Sequence, residues 1–273
     1  MQNIEPTPIV SQTKVILVNS DKGGDMKTTT AVNVSMSINQ KSYRKRGYRS
    51  LLINYESSDH ASYAYGLDWK KCPTMFHVYR GEVSIEDAIQ HTPYGDIIAG
   101  NNSVDYIDTL FKNVPFAEAA FKFKEQIARL KALRQYTHIF IDTQPLIRTL
   151  LPVQAVLATD YLVLPMQALP FSVLSLGKTS AAIEDAMKDN PNLKVAGVLL
   201  CRYGNTIEER GCKDSITKWA TDKGIHVFKQ PIRPGIAVAT AQGRRRPLFD
   251  FVKFANAAKD YEIFTKELLR QVG

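Results

Sequence analysis

Apolar positions along this chain fall into two alternating patterns. Short continuous runs at 14–20, 51–53, 96–99, 137–142, 161–165 and 195–200 have the character of strands buried on both faces. Between them, apolar residues three and four apart predict helices over 28–38, 73–79, 84–90, 115–134, 173–188, 206–221 and 251–269. Over 28–38 the stripe is Ala31, Val32, Val34 and Ile38. Such alternation implies an α/β fold: a mostly parallel twisted sheet with helices on both faces. No linker, low-complexity tract or repeat interrupts it, so one domain is expected over 14–273 after an N-terminal extension, 1–13.

The composition adds limits. With 273 residues and 44% hydrophobic content there is ample material for a full core. The net charge of +8 favours polyanionic partners such as DNA. Cys72, Cys201 and Cys212 are far apart and odd in number, which suits a reducing compartment and no zinc site. The five histidines lack metal-ligand spacing. No apolar run approaches the roughly 18 residues of a membrane span, and 1–13 lacks an apolar signal core, so a cytoplasmic location is expected.

The chemically informative stretch is Ser20-Asp-Lys-Gly-Gly-Asp-Met-Lys-Thr-Thr-Thr30, between the first strand and the first helix. Backbone amides and the positive end of a helix cradle phosphate at such a junction. Lys27 is placed to reach the β- and γ-phosphates, and the Thr28 hydroxyl to ligate Mg²⁺.

Residues 22–29 resemble the deviant Walker A motif of the ParA/MinD family, Lys-Gly-Gly-x-Gly-Lys-Thr-Thr. The resemblance extends from about residue 14 to 252. Leu51-Leu-Ile-Asn-Tyr-Glu-Ser-Ser-Asp-His-Ala-Ser62 is similar to the Leu-Leu-Ile-Asp-x-Asp-Pro-Gln-Gly-Asn stretch of partition ATPases. Ile139-Phe-Ile-Asp-Thr-Gln-Pro145 resembles the family's Ile-Asp-x-Pro-Pro segment, and Asp160-Tyr-Leu-Val-Leu-Pro-Met-Gln167 its Ala-Asp-x-Val-Leu-x-Pro-x-Gln strand. Val195–Leu200 and Gln230-Pro-Ile-Arg-Pro234 follow in order.

The resemblance implies a P-loop NTPase that binds ATP/ADP with Mg²⁺, forms a homodimer and serves plasmid or chromosome partition with a ParB-like centromere-binding protein. It implies nucleotide contacts from Lys22, Gly23, Gly24, Asp25, Met26, Lys27, Thr28, Thr29, Arg202, Pro231 and Arg233. The catalytic set it implies is Lys22, Lys27, Asn54, Glu56 and Asp142, with Thr28 and Asp142 on the metal and Lys22 reaching across the dimer to the facing phosphates. Non-specific DNA contact falls to Arg233, Arg244, Arg245 and Arg246, joined by Arg202 and Lys213. The basic cluster Lys41, Arg44, Lys45, Arg46 and Arg49 reads instead as a solvated face. A 13-residue leader is too short for a helix-turn-helix, so operator-specific repression is not expected.

Two departures from the family pattern bear on chemistry. Asp25 and Met26 stand where a small residue and a glycine usually precede the lysine. A side chain there costs about 1 kcal/mol if φ is positive, and Asp25 adds negative charge beside a polyanion unless it points outward. Asn54 and Glu56 replace two aspartates that position water and organise Mg²⁺; Asn cannot act as a base. Slow or impaired ATP hydrolysis, with nucleotide acting mainly as a dimer switch, is therefore expected. Gln144 is a surface-loop residue on this reading. The alternatives are a pseudo-ATPase scaffold of the same fold and a MinD-like membrane-positioning switch. For the latter, the stripe Phe254, Ala258, Tyr261, Phe264, Leu268 and Leu269 is read as packing against the sheet rather than as a membrane anchor. A metabolic P-loop enzyme is disfavoured by the absence of paired metal-binding cysteines and by the 160–167 resemblance.

Overall fold

The computed structural model describes residues 12–251 and 255–273. The extension assigned to 1–13 lies outside the described residues up to residue 11, as does Phe254 of the C-terminal stripe. In chain order the elements are β1 (Lys14–Val18), α1 (Lys27–Ile38), α2 (Lys41–Arg44), β2 (Ser50–Tyr55), α3 (His60–Ala64), α4 (Met75–Tyr79), β3 (Gln90–Thr92), β4 (Gly95–Ile98), α5 (Ile107–Leu110), α6 (Phe116–Ala132), β5 (His138–Thr143), α7 (Leu150–Leu157), β6 (Tyr161–Gln167), α8 (Pro170–Leu174), α9 (Leu176–Asp189), β7 (Lys194–Cys201), α10 (Ile207–Asp222), α11 (Ile236–Gly243), α12 (Leu248–Phe251) and α13 (Asn256–Val272).

Among the described residues the strands form one seven-stranded sheet, ordered β3-β4-β2-β5-β1-β6-β7. All pairings are parallel except the antiparallel β3–β4 edge. Successive side chains of a strand point to opposite faces. Val15 and Leu17 of β1 therefore enter one core with Leu51, Ile53, Ile139 and Ile141, while Ile16 and Val18 enter a second with Leu52 and Phe140. Helices α6, α7 and α9 bury residues in the first core, and α1 and α13 in the second. The apolar stripe of α13 is spent on that second core: Tyr261, Phe264 and Leu268 are all buried. No described helix is long and apolar enough to cross a membrane.

The expected α/β sheet is present, with local differences. Residues 84–90 form turns, not a helix, and Gln90 opens the edge strand β3. Ile85, Ala88 and Ile89 are buried all the same, so their spacing reports a core contact without helical backbone bonding. The helix expected over 173–188 breaks at Ser175 into α8 and α9. Helix α7 was not predicted, because all eight of its residues are buried and no polar face marks a period. Helix α10 starts one residue after Thr206, whose side chain forms a capping box with Glu209. The 41–49 cluster is mostly exposed, as a solvated face requires, although Arg49 is tied to the nearly buried Asp96 at 2.6 Å.

His138, the first residue of β5, is buried, and its Nε2 has no hydrogen-bond partner. Burial, with Lys14 nearby, pushes its pKa from the ordinary 6.5 down to about 4. The folded chain thus holds a neutral imidazole that acid must charge. Its stability contribution is complete above the unfolded value and is lost as pH falls from about 6.5 towards about 4, by up to roughly 3 kcal/mol. His138→Phe is expected to flatten this part of the acid limb in denaturant titrations across that range; an unchanged limb would assign the acid sensitivity elsewhere.

Candidate functional site: a phosphate loop and its cleft

The carboxyl ends of β1, β2, β5 and β6 converge on the loop that joins β1 to α1, where open α/β sheets place their ligands. The loop is held from several sides. Asn19 donates its Nδ2 to the Gln144 carbonyl at 2.7 Å and accepts the Ser20 amide at its Oδ1. The Leu146 amide donates to the Ser20 carbonyl, and Thr179 of α9 donates its hydroxyl to Asp21. Gln167, at the end of β6, donates to the Gly24 carbonyl at 3.2 Å. Gly24 has φ 85, a left-handed conformation that favours glycine.

Met26 is the N-cap of α1 and also lies in the left-handed region, at φ 62 and ψ 29. The cost anticipated for a side chain at that position is therefore incurred, about 1 kcal/mol. Its thioether chain packs partly against the second core and partly lines the cleft. Met26 provides no side-chain cap, and no acid sits in the first turn of α1. Lys27 folds back within the loop and donates from Nζ to the Lys22 carbonyl at 2.8 Å. Lys22 itself runs over the surface to the Phe171 carbonyl, 2.6 Å away. Asp25 does not point outward. It is buried, and desolvation raises its pKa against the opposing influence of Gln167, Ser20, Lys27 and Lys22.

Asn54 of β2 and Asp142 of β5 stand opposite one another in the parallel register. Asp142 is fully buried, and neither carboxylate oxygen has a hydrogen-bond partner. Burial first, then the charge of Glu56, pushes its pKa up to about 7; the adjacent Thr28 hydroxyl and Lys27 act in the opposite direction. Glu56 is also raised by burial, opposed by Lys27 and His60. An orphaned buried carboxylate is costly, and a cation beside it with the Thr28 hydroxyl would satisfy it. The residues present thus fit a magnesium ion. Asn54 faces a different task. Its Nδ2 donates to the Ser58 carbonyl at 2.8 Å and lies 3.3 Å from the Ser62 hydroxyl. Gly100 presses against it so closely that a Cβ there would sit 2.6 Å from the Asn54 Cγ.

A cleft of about 950 Å³ opens above the loop. It brings together Gly23, Gly24, Met26, Lys27, Thr28, Thr29, Glu56, Arg202 and Arg233. The other anticipated site residues do not line it. Asp25, Asn54 and Asp142 are buried, Lys22 turns away, and the Pro231 carbonyl accepts from Gln230 Nε2. Arg244, Arg245 and Arg246 lie exposed just beyond α11, and Lys213 of α10 sits over the Tyr203 ring. Arg233, anticipated as both a nucleotide and a DNA contact, is committed to Asp260 of α13. Its Nη2 donates at 2.6 Å and its backbone amide at 3.0 Å to a carboxylate that is wholly buried. The sequence reading missed Ser58, His60 and Pro145, and the far wall formed by Pro234, Gly235, Ile236, Val238 and Ala239. Ser58 and His60 follow Glu56 within one polar stretch, which was the available signal; α11 has no apolar period to announce it.

The AAA_31 family, an AAA domain, matches residues 13–195. Chromosome partitioning protein ParA of Caulobacter vibrioides is 27% identical over 241 residues, 86% of each chain. The chain belongs to the ParA/MinD family. Solved structures of the same fold include an ATP complex of a variant of Cyanothece McdA, with a TM-score of 0.79 at 19% identity, covering 95% of this chain and 97% of that one. Another is cobyrinic acid a,c-diamide synthase of Mycobacterium smegmatis with an ATP analogue and magnesium, with a TM-score of 0.77 at 22% identity and 94% of both chains covered. At those identities the likeness is one of fold. Within the ParA/MinD frame, the seven-stranded, mostly parallel sheet is that of a P-loop NTPase.

Proposed function

We propose that this ParA/MinD-family chain is a partition-type nucleotide switch. It binds Mg²⁺-ATP in the cleft, pairs with a second copy and contacts DNA non-specifically through Arg244, Arg245 and Arg246. A ParB-like centromere-binding protein regulates it, and its hydrolysis is slow. The observation that carries the reading is the orphaned carboxylate of Asp142 beneath an uncapped helix N-terminus, with Lys27 and Thr28 beside it. Solved relatives of the same fold with nucleotide and magnesium support it.

In this reading the α1 amides and Gly24 cradle the phosphate tail, and Lys27 leaves the Lys22 carbonyl to neutralise the terminal phosphates. Thr28 and Asp142 hold the magnesium, which when bound supplies charge neutralisation at the phosphate oxygens. Glu56, raised by burial and facing the cleft, is the carboxylate left to orient water; the Asn54 Nδ2 is occupied with the turn after β2. Lys22 lies at an exposed rim beside Phe171 and Leu174, which are 78% and 79% exposed, as a surface that meets a second copy requires.

Calorimetry with Mg²⁺-ATP tests the reading. The wild type is expected to give a saturable heat, and Lys27→Ala to weaken binding at least tenfold, about 1.5–3 kcal/mol for a charge-assisted contact. Absence of heat from the wild type with any purine triphosphate would sink the switch. A pseudo-ATPase scaffold remains as the second reading because Asn54 stands where the family carries an aspartate and its Nδ2 is bound to the Ser58 carbonyl, although its buried Oδ1 has no partner. Turnover at saturating Mg²⁺-ATP separates the two: slow but measurable phosphate release supports the switch, and none supports the scaffold.

A further inference from the structure

Two basic segments far apart in sequence share one face of the molecule. Beyond α11, Arg245 takes a left-handed backbone conformation, φ 54, and lays its guanidinium 4.3 Å above the Tyr63 ring and 5.8 Å from Trp69. The two rings meet edge to face at 5.5 Å. The Tyr63 hydroxyl donates to the Gly243 carbonyl at 3.3 Å, and the Trp69 carbonyl accepts from Asn101 Nδ2 at 2.9 Å. Lys70 and Lys71 follow Trp69 directly, both exposed. Asp68, in the same turn, has its carboxyl held below the ordinary value by the Lys71 hydrogen bond and by the charges of Lys71, Lys70 and Arg245. The Lys71–Asp68 pair is highly exposed, so it restrains Lys71 little.

We propose that Lys70 and Lys71 join Arg244, Arg245 and Arg246 in one surface that follows the phosphate backbone of duplex DNA, with Tyr63 and Trp69 as the platform that fixes Arg245. This rests on the DNA reading above and assigns that contact to a second, unforeseen segment. Both aromatic rings are half-buried, and Tyr63 lies beneath Arg245, so the platform orients a cation instead of stacking unpaired bases. Among the described residues no large apolar side chain is exposed between 60 and 72 or between 243 and 250, whereas a membrane-seated helix needs such anchors. The two halves of the surface meet directly, through Arg245 on the Tyr63 ring and the Tyr63–Gly243 hydrogen bond, and both α3 and α11 contribute to the cleft lining. His60 opens α3, and Ile236, Val238 and Ala239 belong to α11.

Fluorescence anisotropy of a short random-sequence duplex, titrated with the full chain plus Mg²⁺-ATP at several salt concentrations, tests the surface. Lys70→Gln with Lys71→Gln is expected to lower the slope of log affinity against log salt by about 2, one phosphate contact per lysine. The variant's melting temperature and its Mg²⁺-ATP heat should match the wild type. Arg245→Lys, which keeps the charge but gives up the planar stack, should weaken binding as well. A wild type that binds duplex with an unchanged slope in the double variant overturns this surface alone. A wild type that fails to bind duplex in any nucleotide state overturns the DNA reading and this surface with it. Retention on anionic vesicles but not on duplex would also overturn the assignment.

Discussion

Asn54→Asp is expected to lower the melting temperature by roughly 5–10 °C, although it restores the residue that the family carries at this position. The Asn54 amide donates to the Ser58 carbonyl and approaches the Ser62 hydroxyl, in a spot with no exposed surface. A carboxylate oxygen in place of Nδ2 would face the Ser58 carbonyl oxygen without a proton between them. Leaving a buried acceptor unsatisfied and opposing it with another costs about 2–3 kcal/mol. Gly100 lies against the same Nδ2 edge of the side chain, which leaves little space there for a shift. Thermal melts of the ligand-free chain provide the measurement. A variant as stable as the wild type, or one that gains brisk turnover, would mean that the Asn54 amide is dispensable and that a carboxylate is accommodated here.

The second large effect belongs to Asp142 and depends on pH. Burial and Glu56 raise its pKa from 3.8 to about 7. Between those values the folded chain keeps a proton that the unfolded chain has released. The contribution to stability is therefore complete below the unfolded value and declines as pH rises through about 7. At about pH 8 the ionised carboxylate costs up to roughly 4 kcal/mol. Asp142→Asn carries no charge at any pH, so the variant is expected to melt above the ligand-free wild type at about pH 8, with the gap closing towards about pH 5. Magnesium binding runs the other way, because it uses the anion. The wild type should bind Mg²⁺-ATP more tightly as pH rises through about 7, and the variant should lose its magnesium dependence. Melts without ligand and calorimetry with Mg²⁺-ATP, each over this pH range, read the two halves separately. A variant that melts below the wild type at the alkaline end would show that the carboxylate is satisfied by protein groups alone.

The sheet was legible because strands buried on both faces leave unbroken apolar runs, as in β1, β2 and β5. The loop between β1 and α1 was legible because Gly23, Gly24, Lys27 and Thr28 fall between such a run and a helical stripe, and all four line the cleft. Asp142 could be placed for the same reason, at the end of a strand. The rest depends on contacts that no local pattern encodes. Helix α7 is apolar on all sides, so its sequence carries no period. The helix expected over 84–90 had the right spacing, but its apolar residues reach the core from turns. That the Asn54 Nδ2 is tied to the turn after β2 follows only from where Ser58, Ser62 and Gly100 come to rest. Arg233 looked like a surface cation until α13 brought Asp260 against it. The left-handed conformation of Met26 was foreseen as a condition, and the backbone meets it.

The grip of Asp260 on Gln230 and Arg233 also orders the site in time. The phosphate loop and the strands β1, β2 and β5 precede it in the chain, but the wall over 230–235 hangs on a carboxylate 27 residues further along than Arg233. During synthesis neither half is complete before α13 arrives, because α1, which begins at the phosphate loop, packs on α13 in the second core and meets it at the Thr30–Tyr261 hydroxyl contact. A polypeptide stalled before α13 emerges would leave both the loop helix α1 and the wall over 230–235 without their anchor.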